Sequence, residues 1–324
     1  MKHLSALLAS AALVVASAPA LAAEKWDMPL AYPATNFHSE NAVAFAKCVA
    51  EGTGGNLEIV THPNGALFSG NDIKRAVQTG QAPIGERLIS AHANENPLFG
   101  IDSIPFLATS FEASDKLWKA AREKLTQALD EQNLVYVYAV PWPPQGLYFK
   151  KEVNAVADMK GIKFRAYNAA TARIAALAGM APVQIEAAEL SQALATGVAE
   201  SLISSGATGV DSKVWESLTH FYDVQAWLPR NVVFVNKDAW SALDDGTQKA
   251  IADCGEKAAA EGTAKSKALT DQTLKTLADN GMKVSEPSDQ LKSELKAFGE
   301  TMTQEWVDSA GAEGKAIIDA YKAM

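Results

Sequence analysis

The stretch Gly161 to Asn168 reads GIKFRAYN and sets a single arginine between an apolar run and an Asn suited to a turn. A guanidinium keeps its charge in proteins and presents a planar fork of donors. A partly buried Arg165 therefore needs an anion opposite it, either an internal carboxylate or a ligand. Recognition of an anion, rather than bond-making, is the chemistry this points to, because catalytic constellations do not accompany it. The chain holds no HExxH, GxSxG, phosphate-loop or CxxC motif, and its five histidines, His3, His38, His62, His92 and His220, lack metal-ligand spacing. His38 could be drawn beside Ser204 or Ser205 as a hydrolase pair, yet nothing in the sequence specifies one. No cofactor is expected, and no cluster of residues calls for a metal.

Charge and length narrow the class of partner. A formal charge of −9 over 324 residues, without a Lys/Arg block, repels nucleic acid and anionic lipid heads. A small anion must then be held by local positive groups inside a cleft, against the long-range field. The first residues, MKHLSALLASAALVVASAPALAA, carry Lys2, an apolar run from Leu4 to Val15 and the small-residue pattern Ala20-Leu21-Ala22. That is a secretory signal peptide, residues 1–22, with cleavage expected after Ala22; the run is too short for a membrane span. The length of the remainder suggests two domains, and 48% hydrophobic residues can bury a sizeable core. In an oxidising compartment the even cysteine count, Cys48 and Cys254, favours a disulfide. The alternative is two buried thiols, each on the apolar face of an amphipathic helix.

The elements that must position Arg165 alternate between strand and helix. NLEIVTH (Asn56 to His62), QNLVYVYAV (Gln132 to Val140) and NVVFVN (Asn231 to Asn236) read as strands, the first ending at Pro63-Asn64-Gly65 and the second at Pro141-Trp142-Pro143-Pro144. Ser39 to Glu51 reads as an amphipathic helix with Ser39 as its cap and Gly52 as its stop. From Gly246 to Gly281 an Ala-, Lys-, Glu- and Leu-rich segment reads as one long helix, with a break expected near Gly262. Such alternation means an α/β architecture. An internal similarity refines it: DIKRAVQTGQAPIGERLIS (Asp72 to Ser90) and ELSQALATGVAESLISS (Glu189 to Ser205) both run from an acid through a helix to Thr-Gly and then into a strand. Thr79-Gly80 and Thr196-Gly197 suit helix ends at which glycine turns left-handed. Two similar α/β halves with a cleft between them follow from this pattern.

The segments NGALFSGNDIKRAVQTGQAPIG, DSIPFLAT, VADMKGIKFRAYNAATARIAALAGMAPV and LSQALATGV, in this order behind a signal peptide, resemble the solute-binding proteins of tripartite ATP-independent periplasmic (TRAP) transporters. The resemblance covers nearly the whole chain after the leader. It implies a two-domain periplasmic binding protein fold with a hinged interdomain cleft and a long helix spanning both domains. It also implies a small organic acid as ligand and a membrane permease pair as partner. A sensor receptor in place of the permease is the alternative partner for the same fold. Carried over, domain I comprises residues 23–140 plus 231–266, and domain II residues 141–230 plus 267–324.

The resemblance makes Arg165 the clamp for the ligand carboxylate, since Arg and carboxylate can pair through two parallel hydrogen bonds. Glu86 matches an acidic position lining the family's cleft, and Arg87 beside it reads as a solvated neighbour. Ser204, Ser205 and Thr208 stand where relatives commonly carry Gln-Glu-Asn-Pro. The helical stretch after them, Asp211 to Leu218, could aim its N-terminus at an anion. Gln145 replaces an arginine that some relatives place in this region. Phe37, Trp142, Tyr148 and Trp227 are expected to form an apolar wall, and Asn231 to act as an amide donor at the hinge. One firm arginine and few other cations favour a monocarboxylate, such as a 2-oxo, 2-hydroxy or aromatic acid, over a C4-dicarboxylate or a sugar acid. A second carboxylate would need its own charged partner, and only Arg87, Lys150 or Lys151 could supply it.

Overall fold

The structure, a computed structural model, describes residues 23–324; the expected signal peptide lies outside the described residues. The chain begins with β1 (Glu24–Pro29), α1 (Phe37–Gly52) and β2 (Leu57–His62), then α2 (Ile73–Gln78), β3 (Ile84–Leu88) and α3 (Phe111–Asp130). β4 (Leu134–Pro141) and β5 (Gln145–Phe149) follow, with β6 (Lys163–Ala166), α4 (Ala169–Leu177), β7 (Ala181–Gln184), α5 (Leu190–Ala195), β8 (Ser201–Ser205) and α6 (Gly206–Asp211). The remainder is β9 (His220–Tyr222), β10 (Arg230–Asn236), α7 (Lys237–Ala242), α8 (Asp245–Asp279), β11 (Lys283–Ser285) and α9 (Asp289–Lys322). Among the described residues no helix is long and apolar enough to cross a membrane.

Three sheets result. The first, the antiparallel β3-β10-β4, meets the parallel pair β1-β2 through a Leu30–Glu86 bridge. The third sheet has the order β11-β9-β5-β8-β6-β7. β4 and β5 are consecutive yet belong to different sheets, because Pro141, Pro143 and Pro144 interrupt the backbone donors that a ladder needs. The chain returns to the first sheet beside this crossing. Trp142 N donates to Pro229 O at 2.8 Å, Gln145 N to Trp227 O at 3.0 Å and Ala226 N to Gln145 O at 2.9 Å. Two crossing segments thus run hydrogen-bonded side by side, as the two-domain hinged fold requires.

The internal repeat is real at the level of individual bonds. In α2, Thr79 Oγ1 donates to Arg75 O at 2.9 Å, Gly80 takes φ +74° and Gln81 N reaches Ala76 O at 2.8 Å. In α5, Thr196 Oγ1 donates to Gln192 O at 2.8 Å, Gly197 takes φ +73° and Val198 N reaches Ala193 O at 2.9 Å. Each turn delivers its strand, β3 or β8, toward the crossing.

Two local expectations change. α1 is capped by Asn36, whose side chain accepts from His38 N, whereas Ser39 lies inside the helix and donates to Tyr32 O at 3.2 Å. Nor does α8 break at Gly262. The helix runs through it without interruption, and the missing side chain serves close packing: a Cβ there would lie 2.6 Å from Val140 Cγ2 and 2.9 Å from Asn41 Nδ2. Gly255 likewise admits Val137, one residue stripe nearer the start of the helix. Further along, α6 approaches α8 through Gly206, where a Cβ would collide with Thr273. One helix therefore touches both α/β units. α9 does the same: Glu294 accepts from Val156 N at 2.6 Å, and beyond a kink at Gly311 (φ 61°) Glu313 pairs with Lys124 of α3 at 2.9 Å.

Cys48 of α1 and Cys254 of α8 form a disulfide, with Cα atoms 5.8 Å apart and 206 residues between them in sequence. Elsewhere in the fold, Asp102 is buried where Arg230 N donates to its Oδ2 at 2.7 Å and Ser103 Oγ to its Oδ1 at 3.2 Å. Burial pushes its carboxyl up to about 7, the bond from Arg230 N opposing.

Three outcomes are expected. Gly262→Ala lowers the melting temperature although alanine favours helices by about 1 kcal/mol, since overpacking here costs about 1–3 kcal/mol; a rise on calorimetric scanning would contradict the packing argument. Thiol labelling of the denatured, unreduced protein finds no free cysteine, and reduction removes about 2–5 kcal/mol of stability. Because folding raises the Asp102 pKa, its stabilising contribution is complete below pH about 4 and is lost as pH rises through about 7. Asp102→Asn should therefore flatten the decline of melting temperature between pH about 4 and 7, and an unchanged slope would refute this.

Candidate ligand-binding site

Where the crossing segments meet the ends of β3, β6 and β8, the two units line a common cavity. Arg165 projects into it from β6, which is held on both sides by β7 and β8. Its Nε donates to Ile185 O at 2.9 Å, and the guanidinium lies 5.0 Å from the Tyr167 ring centre. The period-two alternation of a strand puts residues 165 and 167 on one face. Arg165 is only 4% exposed, and burial depresses its guanidinium to about 10. Among the described residues no carboxylate forms an ion pair with it.

Arg87 differs in this respect. The sequence suggests a solvated side chain, but it is 3% exposed and lines the same cavity. Its Nη2 donates to Asn71 Oδ1 at 2.7 Å and to Glu186 Oε2 at 3.2 Å, joining β3 to the loop after β7. The charged residues on the cavity wall are thus Arg87, Glu186 and Arg165. The first two neutralise each other, so one positive charge is left over.

Behind the wall stands a polar network that Glu86 anchors. Glu86 is buried, with Oε1 3.2 Å from His38 Nδ1, and it accepts from Asn231 Nδ2 at 3.3 Å. Desolvation lowers the His38 pKa against the opposing pull of Glu86, which keeps the ring neutral. Asn231 Oδ1 in turn accepts from Trp142 Nε1 at 2.8 Å and from Tyr32 OH at 3.4 Å. Phe37 packs edge-on against Trp142, ring centres 5.2 Å apart. Of the expected contacts, then, Trp142 reaches the cavity, while Glu86, Phe37 and Asn231 sit one layer back and fix its orientation.

Strand parity separates the remaining candidates. Gln145 lines the cavity, its Nε2 donating to Pro143 O at 3.0 Å and its Oε1 accepting from Tyr167 OH at 3.2 Å. Tyr148 lies three positions on and faces the other side of the sheet, against Phe221, with its hydroxyl donating to Ser205 O at 2.8 Å. Gly209 leaves the room this hydroxyl needs. Ser204 and Thr208 line the cavity, whereas Ser205 is the N-cap of α6 and accepts from Thr208 N at 3.2 Å. The helix here is Gly206–Asp211, not Asp211 to Leu218, and has only six residues. Trp227 is buried against an apolar void beside Leu147 and Ile203, away from the cavity wall.

The rims are tied across the cleft. Asn36 Nδ2 donates to Asp211 Oδ2 at 2.6 Å, and Asn168 Nδ2 to Ser90 Oγ at 3.0 Å. Among the wall residues that the sequence reading did not name as contacts are Tyr32, Arg87, Tyr167 and Glu186. Tyr167 was accessible by counting two from Arg165. Arg87 was accessible from the repeat, since Arg87 and Ser204 hold equivalent places after Gly80 and Gly197. Tyr32 and Glu186 lie in loops with no periodic signal.

Residues 31–310 match the model of the bacterial extracellular solute-binding proteins, family 7. A TRAP solute-binding protein from a marine metagenome, described as specific for pyroglutamate and solved with co-purified pyroglutamate, is 57% identical. It superposes with a TM-score of 0.93 over 94% of this chain and 100% of that one. DctP6 of Bordetella pertussis, an extracytoplasmic solute receptor binding pyroglutamic acid, is 46% identical, with a TM-score of 0.91 over 93% of this chain and 100% of that one. A TRAP solute-binding protein from Shewanella oneidensis with bound succinate is 16% identical at a TM-score of 0.86 over 93% of this chain and 99% of that one, and shows the fold alone. The cleft between two α/β units, the arginine on β6 and a match spanning almost all the described residues lead to one conclusion: the chain belongs to family 7 of the bacterial extracellular solute-binding proteins, the carboxylate-binding receptors of TRAP transporters.

Proposed function

We propose that this receptor captures pyroglutamate in the periplasm and delivers it to a TRAP membrane permease without altering it. The observation that carries the reading is the charge balance of the cavity: Arg87 and Glu186 cancel, and Arg165 is the remaining charge. A monocarboxylate supplies one negative charge and leaves no buried ion unpaired, whereas a dicarboxylate would bring one charge too many at a cost of several kcal/mol. Pyroglutamate has one carboxylate and an otherwise uncharged ring, and the 57% and 46% identical relatives are described as binding it. In this reading the carboxylate pairs with the Nη atoms of Arg165, and Trp142 and Tyr167 pack against the ring. Residues 1–22 direct export and are then removed. Domain I (23–140 plus 231–266) and domain II (141–230 plus 267–324) close on the ligand about the crossing segments.

Pyroglutamate at about 100 times its dissociation constant should stabilise the protein by about 2.7 kcal/mol, with succinate inert at the same concentration. A melting-temperature shift with succinate but not with pyroglutamate would overturn the assignment. Arg165→Lys should weaken pyroglutamate binding by about 2–4 kcal/mol, since one fork is lost and a buried carboxylate is left partly unpaired. Unchanged affinity by calorimetry in the folded variant would remove Arg165 from the site.

A further inference from the structure

The Arg87–Glu186 pair does more than cancel charge. Its two partners come from different units and meet at 3.2 Å through Nη2 and Oε2, yet Arg87 Nε and Glu186 Oε1 are buried without a hydrogen-bond partner. One is a donor, the other an acceptor, and both belong to residues of the cavity wall. Gly70 stands directly behind them. A Cβ there would come within 2.5 Å of Glu186 Oε2 and 2.7 Å of Arg87 Nη1, so the pair occupies space that only glycine leaves free. Other polar groups on the wall are committed or indifferent. Trp142 Nε1 and Tyr32 OH serve Asn231, and the Gln145 amide serves Pro143 and Tyr167. The Ser204 and Thr208 hydroxyls can donate or accept and so cannot discriminate.

We propose that the Arg87–Glu186 pair reads the lactam edge of the ligand, Glu186 Oε1 accepting from the ring N–H and Arg87 donating to the ring carbonyl. The proposal rests on the pyroglutamate reading above. A five-membered lactam is locked in the cis amide form, so its N–H and C=O emerge on one edge as a donor beside an acceptor. The ion pair offers the complement, an acceptor beside a donor, and adds no net charge. A lactone of the same shape sets a ring oxygen against the Glu186 carboxylate, lone pair against lone pair. A carbocyclic acid or a 2-oxo acid offers no N–H at all. The pair therefore selects cyclic monocarboxylates that carry a ring N–H next to a carbonyl.

Calorimetric titration with pyroglutamate and with its lactone isostere, 5-oxotetrahydrofuran-2-carboxylate, tests this. Wild type should prefer the lactam by about 30-fold or more, as expected when a buried acceptor loses its donor. In Glu186→Ala the preference should shrink to about threefold or less. Gly70→Ala removes no polar group, yet it should also reduce the preference by displacing both partners. Glu186→Gln keeps the shape but leaves Arg87 unpaired, so it should lower the ratio of pyroglutamate to succinate affinity by about tenfold or more. Equal binding of lactam and lactone by wild type, or an undiminished preference in Glu186→Ala or an unaltered succinate ratio in Glu186→Gln, would overturn the lactam assignment and leave the pyroglutamate reading standing. A wild type that binds neither compound while another acid raises its melting temperature would overturn both.

Discussion

A guanidinium placed almost out of water is the constraint on which the rest of this structure turns. Arg165 is held by two flanking strands and one backbone carbonyl, and burial already pulls its pKa down. Such a charge destabilises the closed arrangement until an anion faces it. Arg87 is just as buried, but its charge is balanced from within by Glu186, with Asn71 accepting a further hydrogen bond. In the proposed reading, the difference between the two arginines makes this cleft a receptor for a single negative charge. It does so inside an acidic protein, where only local geometry can draw an anion in.

Around this point the fold divides rigid parts from moving ones. The disulfide joins α1 to the first half of α8 and does not cross the cleft, so it stiffens one unit without hindering closure. The segments that do cross are the hydrogen-bonded pair near Trp142 and Pro229, with α8 and α9 lying along both units. Small residues at 255 and 262 let α8 lie close upon β4. The network of Glu86, Asn231, Trp142 and Tyr32 then transmits the rigidity of the first unit to the cavity wall, because each amide or ring is fixed by the next.

Much of this was legible in the sequence where the signal was periodic or chemically strict. The strands at 56–62, 132–140 and 231–236 appear within two residues, and the Thr-Gly repeat holds down to equivalent hydrogen bonds. Arg165 stood out because a buried guanidinium must have a partner. Gly262 misled because helix propensity disfavours glycine, and propensity says nothing of a strand packed 2.6 Å from the absent Cβ. Tyr148 misled for lack of strand parity, since counting from Gln145 sends it to the opposite face. Arg87 was read as solvated because, next to Glu86 on a strand, it points to the opposite face, while its acid partner lies 99 positions away in a loop. Long-range pairing of that kind leaves no trace in local pattern.

The orientation of the ligand is where these arguments converge, and a crystal structure of the protein with pyroglutamate tests it most directly. The account predicts the carboxylate within about 3 Å of the Arg165 Nη atoms, and the ring N–H and carbonyl turned to Glu186 and Arg87. A carboxylate seated on Arg87 with Glu186 displaced, and the lactam toward Arg165, would contradict it.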